Sequence, residues 1–347
     1  MLTDCCAGLD YAFSAKSRNS RLAGIDLLKI GAIVCVLLNH CFSAEQLDAM
    51  GAVFWIYNAV PVFMIIAGFN FSRKYCKVCK NGLRGWYSAK EIRAFAKRIL
   101  LPYAFFACVQ LVVYPLTGYA SALNTFVNLF IGGLGAGGYY VFVFVQIFAV
   151  FPLLYRAFDR HPIGTAVFML SAQILNDVVF NLATPLNQPL VDGIYRLFAV
   201  RYFAPVLGGM ILYRYYDKIT ARTIAYAVLA GLCILTAMFV CGDGTYFLFR
   251  KWTVTSLPVT VWCWGITAAV VMVFENAPRI ASFKPVNVFA NATLHIFFVQ
   301  QIYFSVIHVY GGLGVAGDVA VCLVVGIAAY IAWQAAVAVA ARKKSHF

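Results

Sequence analysis

Two ionisable residues, Lys29 and His40, lie inside the first apolar run of the chain. They are eleven residues apart, and in an α-helix eleven steps of about 100° return a side chain to within about 20° of its starting direction. The same spacing separates them by about 16 Å along the helix axis. Because ionisable groups inside a membrane span are costly, they are candidates for function. The spacing predicts a cation and a titratable base on one helix face, at the two ends of a path through the protein.

Each of these residues also has an explanation that needs no chemistry. Lys29 lies about five residues inside the boundary of the run, so its ammonium group can snorkel to the inner headgroups. His40 fits a hydrogen-bonded histidine at the outer membrane interface. Asp26 lies one turn before Lys29, where it is placed to orient the lysine through an i, i+3 pair. The alternative for Asp26 is an acidic residue favoured by the dipole at the helix N-terminus.

The composition predicts that these residues belong to a membrane protein. Of the 347 residues, 63% are hydrophobic and 12% are charged, and the mean hydropathy is +0.82. Soluble domains carry about 25% charged residues, so a soluble fold has no interior large enough for this chain. Ten apolar segments approach the length of about 20 residues that spans a bilayer. Their approximate bounds are 22–42, 52–72, 99–117, 139–155, 163–182, 197–213, 222–241, 253–274, 286–308 and 316–341.

The predicted fold class is therefore an all-α, polytopic integral membrane protein with about ten transmembrane helices. The net charge of +14 comes from Lys and Arg at the ends of the apolar runs, nine of them between residues 73 and 98. Because cytoplasmic loops retain Lys and Arg, this asymmetry predicts that both termini are cytoplasmic. With this orientation, the cations left outside are Arg196, Arg201, Arg250 and Lys251. The same pattern argues against a nucleic-acid partner, which would need a basic patch on one face.

We expect a cytoplasmic tail over residues 1–20, a membrane domain over 21–342 and a cytoplasmic tail over 343–347. Residues 1–20 lack the apolar core of a secretory signal, so the first helix is expected to remain as an uncleaved anchor. Segment 120–135 is apolar but ends in a Gly-rich stretch, which indicates a partial or re-entrant helix. Cys76 and Cys79 form one CxxC without a second pair or a nearby His, so no metal site is expected.

Four stretches, residues 21–40, 60–69, 96–103 and 292–301, together resemble in this order segments of the membrane acyltransferase 3 family. Residues 21–32 and 37–40 match its opening helix, with an Asp near the start, a basic residue and a His eleven residues later. Residues 60–69 resemble its second helix, 96–103 its basic entry to the third helix, and 292–301 its penultimate helix.

The chain departs from the family pattern at several positions. The basic residue of the opening helix is commonly Arg in the family and is Lys29 here, and Lys offers a point charge instead of a bidentate fork. Ala67 replaces the Ser that usually precedes Gly-Phe, and Gln300 stands where the penultimate helix often has His. The paired arginines before the third helix are matched loosely, by Arg93, Lys97 and Arg98.

The resemblance implies an integral cell-membrane enzyme that takes an acyl group, often acetyl, from cytoplasmic acyl-CoA. The acceptor it implies is a hydroxyl of an extracytoplasmic glycan or lipid-linked sugar. His40 would act as general base, with Lys29 as its electrostatic partner and Asp26 orienting Lys29. Phosphates of CoA would be attracted by the basic residues at the membrane edge, Arg93, Lys97 and Arg98, although the positive-inside rule explains these cations too. The competing function is a proton-coupled transporter that uses Lys29 and His40 without covalent chemistry.

Other polar residues in the predicted spans carry weaker expectations. His295 can face the same cavity, although core or interface packing is the stronger explanation. Arg201 can contact an anionic acceptor, with a solvated or snorkelling arginine as the stronger explanation. Tyr139 and Tyr140 fit an interfacial aromatic belt, and Asp177 receives no role.

Overall fold

A computed structural model describes residues 22–80, 82–131, 137–183, 194–240, 257–274, 277–307 and 311–344. Within these ranges the chain forms helices and no strands. The α-helices are α1 Ala23–Cys41, α2 Ala44–Ala49, α3 Ala59–Val78, α4 Ala89–Phe95, α5 Leu101–Leu116, α6 Ala122–Ile131, α7 Tyr140–Arg160, α8 Pro162–Ala183, α9 Phe203–Arg214, α10 Ala221–Val240, α11 Leu257–Val273, α12 Pro278–Ser282, α13 Lys284–Ile302 and α14 Gly314–Lys344. Two π-helical segments, Ala96–Leu100 and Tyr303–Ile307, join α4 to α5 and continue α13.

Seven helical stretches are long and apolar enough to cross a membrane, so the chain is a polytopic helical membrane protein. They are Ala23–Cys41, Ala52–Val78, Ala89–Leu116, Tyr140–Arg160, Pro162–Phe180, Ala221–Val240 and Gly314–Ala340. The other three predicted segments, 197–213, 253–274 and 286–308, contain the shorter helix α9, the 17-residue helix α11 and the more polar helix α13. The count of about ten spans and the cytoplasmic termini therefore stay predictions.

Helix α1, which carries the candidate residues, lies in the interior of the bundle. It packs against α3, α11, α13 and α14. We call the N-terminal end of α1, which is predicted to be cytoplasmic, its inner end and the C-terminal end its outer end. Toward the outer end, Ile33 and Leu37 are completely buried against apolar side chains of α13 and α14. At its inner end, Leu22, Ile25 and Leu28 enter the core shared with α3, α9 and α11. Residues on this helix are thus held by packing on several sides.

Helices α3 and α9 cross with their backbones in contact, at two glycines. A Cβ atom on Gly68 would lie 2.2 Å from the Val206 carbonyl oxygen, and one on Gly209 would lie 2.1 Å from the Ile65 carbonyl oxygen. Such close approaches are a common way for membrane helices to pack. The crossing gives a physical reason for Gly68, which belongs to the motif in the second apolar segment.

Helix α6 returns alongside α5, because the Tyr103 hydroxyl near the start of α5 donates to the Leu129 carbonyl oxygen near the end of α6, at 2.6 Å. Its ten residues rise about 15 Å, half the thickness of the hydrocarbon core. This short helix agrees with the partial helix predicted for 120–135, of which residues 132–136 lie outside the described part.

The basic loop after α3 is anchored by aromatic residues. The Trp86 indole is completely buried and donates to the Phe148 carbonyl oxygen at 3.1 Å. The Tyr87 hydroxyl donates to the Ala149 carbonyl oxygen at 2.6 Å. Phe95 stacks on Phe148 with ring centroids 4.0 Å apart. These contacts fix α4 and the following π-helical segment against α7.

Candidate functional site

The inner end of α1 carries a partly buried ion pair. Lys29 Nζ lies 3.3 Å from Asp26 Oδ1, and the two side chains are 16% and 3% exposed. The pair has the i, i+3 geometry expected from the sequence. The Lys29 ammonium is directed at a carboxylate inside the protein, which is the arrangement predicted for an oriented lysine.

One arginine from another helix lies within electrostatic range of the carboxylate of this pair, and a second arginine lies within range of the first. Arg73, in the last turns of α3, is within electrostatic range of both Asp26 and Arg98. Arg98 is exposed, lies in the π-helical segment Ala96–Leu100, and is also within electrostatic range of Tyr140 at the start of α7. We call Asp26, Lys29, Arg73 and Arg98 the inner cluster. Sequence patterns placed Arg73 only among the loop cations, because nothing local shows which residues of distant helices meet.

The other two predicted phosphate ligands, Arg93 and Lys97, are exposed. They lie on the same helical stretch as Arg98, Arg93 in α4 and Lys97 in the π-helical segment. Because π-helical turns are frequent at functional sites, the position of Arg98 within such a turn adds to its candidacy.

The outer end of α1 holds His40, in the last helical turn. Its half-buried imidazole lies 5.6 Å from the ring of Phe304, centroid to centroid. Phe304 belongs to the second π-helical segment, Tyr303–Ile307. His40 is therefore about 16 Å along the helix from Lys29, and no direct contact joins them.

A buried carboxylate, Asp318 of α14, lies beside this outer end. It is 1% exposed and accepts hydrogen bonds from the Tyr303 hydroxyl and, at 2.9 Å, from the Leu313 backbone N–H. These bonds tie the π-helical segment beside His40 to the start of α14. The sequence offered one signal for Asp318 that went unused, an acidic residue inside the last apolar run.

Arg201 is buried, so the prediction of a solvated or snorkelling arginine is wrong. The residue is 8% exposed, and its guanidinium lies 4.4 Å from the ring centroid of Tyr195. Asp177, also buried, accepts a hydrogen bond from the Tyr195 hydroxyl at 2.9 Å and is within electrostatic range of Arg201. A carboxylate thus compensates the buried cation, as burial of charge requires. Asp177 had been given no role.

A family model described as an acyltransferase domain matches residues 22–337, nearly the whole chain. The chain belongs to the acyltransferase 3 family. It is accordingly an acyltransferase enzyme of the membrane. No curated protein and no solved structure matches it.

In this acyltransferase, His295 is part of a helix interface. It is 5% exposed and is surrounded by the rings of Phe106, Tyr330 and Trp333, from α5 and α14. Within the described residues, neither ring nitrogen has a hydrogen-bond partner. This location agrees with packing as the explanation for His295. Tyr140, at the start of α7, packs against Phe63 and Phe297.

The arrangement as a whole supports two separate tasks. The inner cluster offers cationic side chains that suit an anionic group, because guanidinium and ammonium groups bind phosphate and carboxylate. The outer end offers a half-buried imidazole, the side chain best suited to accept a proton near neutral pH. Among the described residues no group of His, Cys, Asp and Glu is arranged to hold a metal ion.

Proposed function

We propose that this acyltransferase moves an acyl group, preferentially acetyl, from cytoplasmic acyl-CoA to a hydroxyl of an extracytoplasmic or lipid-linked glycan in the cell membrane. The proposal rests on the residues that α1 carries at its two ends. One central helix of a family acyltransferase presents a lysine ion pair at its inner end and His40 at its outer end.

On the inner side, Arg98 would contact the CoA phosphates, with Arg93 and Lys97 attracting them toward the membrane edge. Lys29, oriented by Asp26, would add a point charge on the same side. Since Lys29 is about 16 Å from His40, we assign its charge to the anionic donor.

On the outer side, His40 would act as general base and take the proton of the acceptor hydroxyl as its oxygen attacks the acyl carbonyl. General-base catalysis by a positioned side chain contributes about 10²–10⁴-fold to a rate. Packing of Phe304 beside the imidazole limits its orientations, which helps to hold the base in a fixed geometry.

Family membership supports this function over the proton-coupled transporter. A transporter would use Lys29 and His40 without consuming acyl-CoA, so the two functions differ in whether a thioester is broken.

The experiment measures release of free CoA when detergent-purified protein is incubated with acetyl-CoA and a cell-envelope extract. The variants are His40→Ala and, as a matched control, His161→Ala, which removes an exposed histidine between α7 and α8. We expect His40→Ala to lose at least about 100-fold in rate and His161→Ala to keep it. An unchanged rate in folded His40→Ala would contradict the proposed base. If the wild type releases no CoA, proton-coupled uptake in liposomes becomes the next measurement.

A further inference from the structure

A short folded segment between α1 and α3, which we call the outer cap, lies at the outer end of α1. It consists of α2 and two single-turn 3₁₀ helices, Ala52–Phe54 and Ile56–Asn58. Its buried apolar residues pack against Leu38 and Phe42. These two residues lie two positions before and two positions after His40 in the chain. The outer cap is therefore held against the end of α1 that carries the proposed base.

Trp55, between the two 3₁₀ helices, is the large exposed side chain of this cap. It is 44% exposed, and its indole N–H donates to the Met50 carbonyl oxygen, directly after α2, at 3.2 Å. Among the described residues no other aromatic ring packs against the indole. The neighbouring backbone is fixed, because the Trp262 indole donates to the Phe54 carbonyl oxygen at 3.0 Å and a capping box at Ser43 starts α2. Trp55 thus presents an aromatic surface from a firmly held loop.

The charge of the outer cap bears on what this surface can bind. Residues 41–72 contain two acidic residues, Glu45 and Asp48, and no Lys or Arg. Both acidic side chains are exposed on α2, so they disfavour anionic headgroups next to Trp55. A tryptophan of the interfacial belt has its polar N–H free for water or headgroups, whereas this N–H is bound within the cap. An aromatic face on a surface with carboxylate acceptors suits a sugar ring, whose C–H groups stack on the indole and whose hydroxyls donate hydrogen bonds.

We propose that Trp55 is the stacking platform for a sugar ring of the acceptor glycan. The apolar face of the sugar would lie on the indole, and its hydroxyls would donate to the carboxylates of α2. Since the outer cap is packed against the end of α1 that carries His40, a sugar bound there would hold the acceptor at the same end as the base. The assignment rests on the proposed function, because it names a binding residue for the acceptor of that reaction.

The test compares Trp55→Ala and Trp55→Leu with a matched control, Tyr119→Ala. Tyr119 follows α5 on the same, predicted outer side and is 43% exposed, so it represents an interfacial aromatic residue. Release of CoA from saturating acetyl-CoA is measured with full-length protein in detergent while the amount of cell-envelope extract is varied. We expect both Trp55 variants to raise the half-saturating amount of extract by at least about tenfold and to keep the calorimetric acetyl-CoA affinity. Tyr119→Ala should change the half-saturating amount by less than about twofold.

The replacement residue separates sugar stacking from membrane anchoring. Leucine keeps an apolar side chain without an aromatic face, and Trp55→Phe keeps a smaller face, so Phe should restore part of the acceptor binding and Leu none. Full restoration by Trp55→Leu would overturn the assignment and make Trp55 an interfacial anchor. An unchanged half-saturating amount in Trp55→Ala, or an equally large loss of acetyl-CoA affinity, would also overturn it.

Thermal unfolding of each variant identifies a structural effect. If Trp55→Ala lowers the Tm, the Leu and Phe variants decide: better acceptor binding by Phe than by Leu at equal Tm supports the platform, and equal binding overturns it. A wild type that releases no CoA contradicts the proposed function, and the assignment of Trp55 falls with it. A wild type that releases CoA with the same extract dependence as Trp55→Ala contradicts the assignment of Trp55 alone.

Discussion

The separation of Lys29 and His40 along α1 predicts that their substitutions act on different kinetic parameters. Lys29→Gln removes a charge that is 16% exposed and paired with Asp26. A hydrogen bond to a charged group contributes about 1.5–3 kcal/mol, so acyl-CoA affinity should fall by at least about tenfold. His40→Ala removes the proposed base and should lower kcat by about 10²–10⁴-fold.

The distance also fixes how the two effects combine. Eleven residues place the side chains about 16 Å apart along the helix, beyond the 7–10 Å over which substitutions usually couple. The double variant should therefore show the sum of the two single effects to within about 0.5 kcal/mol, or about twofold.

The assay is steady-state release of CoA with acetyl-CoA varied, for wild type, both single variants and the double variant, with acceptor extract in excess. Calorimetric acetyl-CoA affinities separate binding from the chemical step, since KM equals Kd only when chemistry is slow. A coupling of tenfold or more would refute the assignment of separate tasks. So would a Lys29→Gln variant that lowers kcat while acetyl-CoA affinity stays unchanged.

Three further substitutions test the architecture around the site. Gly68→Ala should lower the Tm by several degrees, because its Cβ would overlap a backbone carbonyl of α9. The control Gly31→Ala, which has no atom near its Cβ, should maintain or raise the Tm. Equal Tm values for the two variants would contradict the glycine crossing. Asp177→Asn should destabilise the protein by about 1–3 kcal/mol in chemical denaturation, because the Tyr195 hydroxyl loses its charged acceptor and Arg201 loses a negative charge within electrostatic range, and a change below about 0.5 kcal/mol would contradict that compensation. Tyr303→Phe, which removes a hydrogen bond beside the outer end of α1, should lower kcat and leave calorimetric acetyl-CoA affinity unchanged, and a lower affinity with normal kcat would contradict it.

Features that depend on the periodicity of one helix were predictable from the sequence. The positions of Asp26, Lys29 and His40 follow from 3.6 residues per turn, and the i, i+3 ion pair is present in the structure. The membrane character followed from composition alone. These properties need no knowledge of which helices become neighbours.

Features that depend on contacts between distant helices were not predictable. Arg73 had been counted as one loop cation among nine, and only the packing of α3 against α1 and α9 places it beside Asp26 and Tyr213. Arg201 had been expected in solvent, because a sequence does not show that Tyr195 and Asp177 enclose it. A single sequence thus predicted the ion pair within α1 and left the surroundings of this helix undetermined.

Two π-helical segments contain residues of the candidate site or lie beside them. Ala96–Leu100 contains Lys97 and Arg98, and Tyr303–Ile307 contains Phe304 beside His40. A π-helical turn changes the direction of the side chains that follow it, relative to a regular α-helix. Hydrophobic periodicity cannot reveal such a turn, so the local irregularities that complete the candidate site are also the features that the sequence conceals.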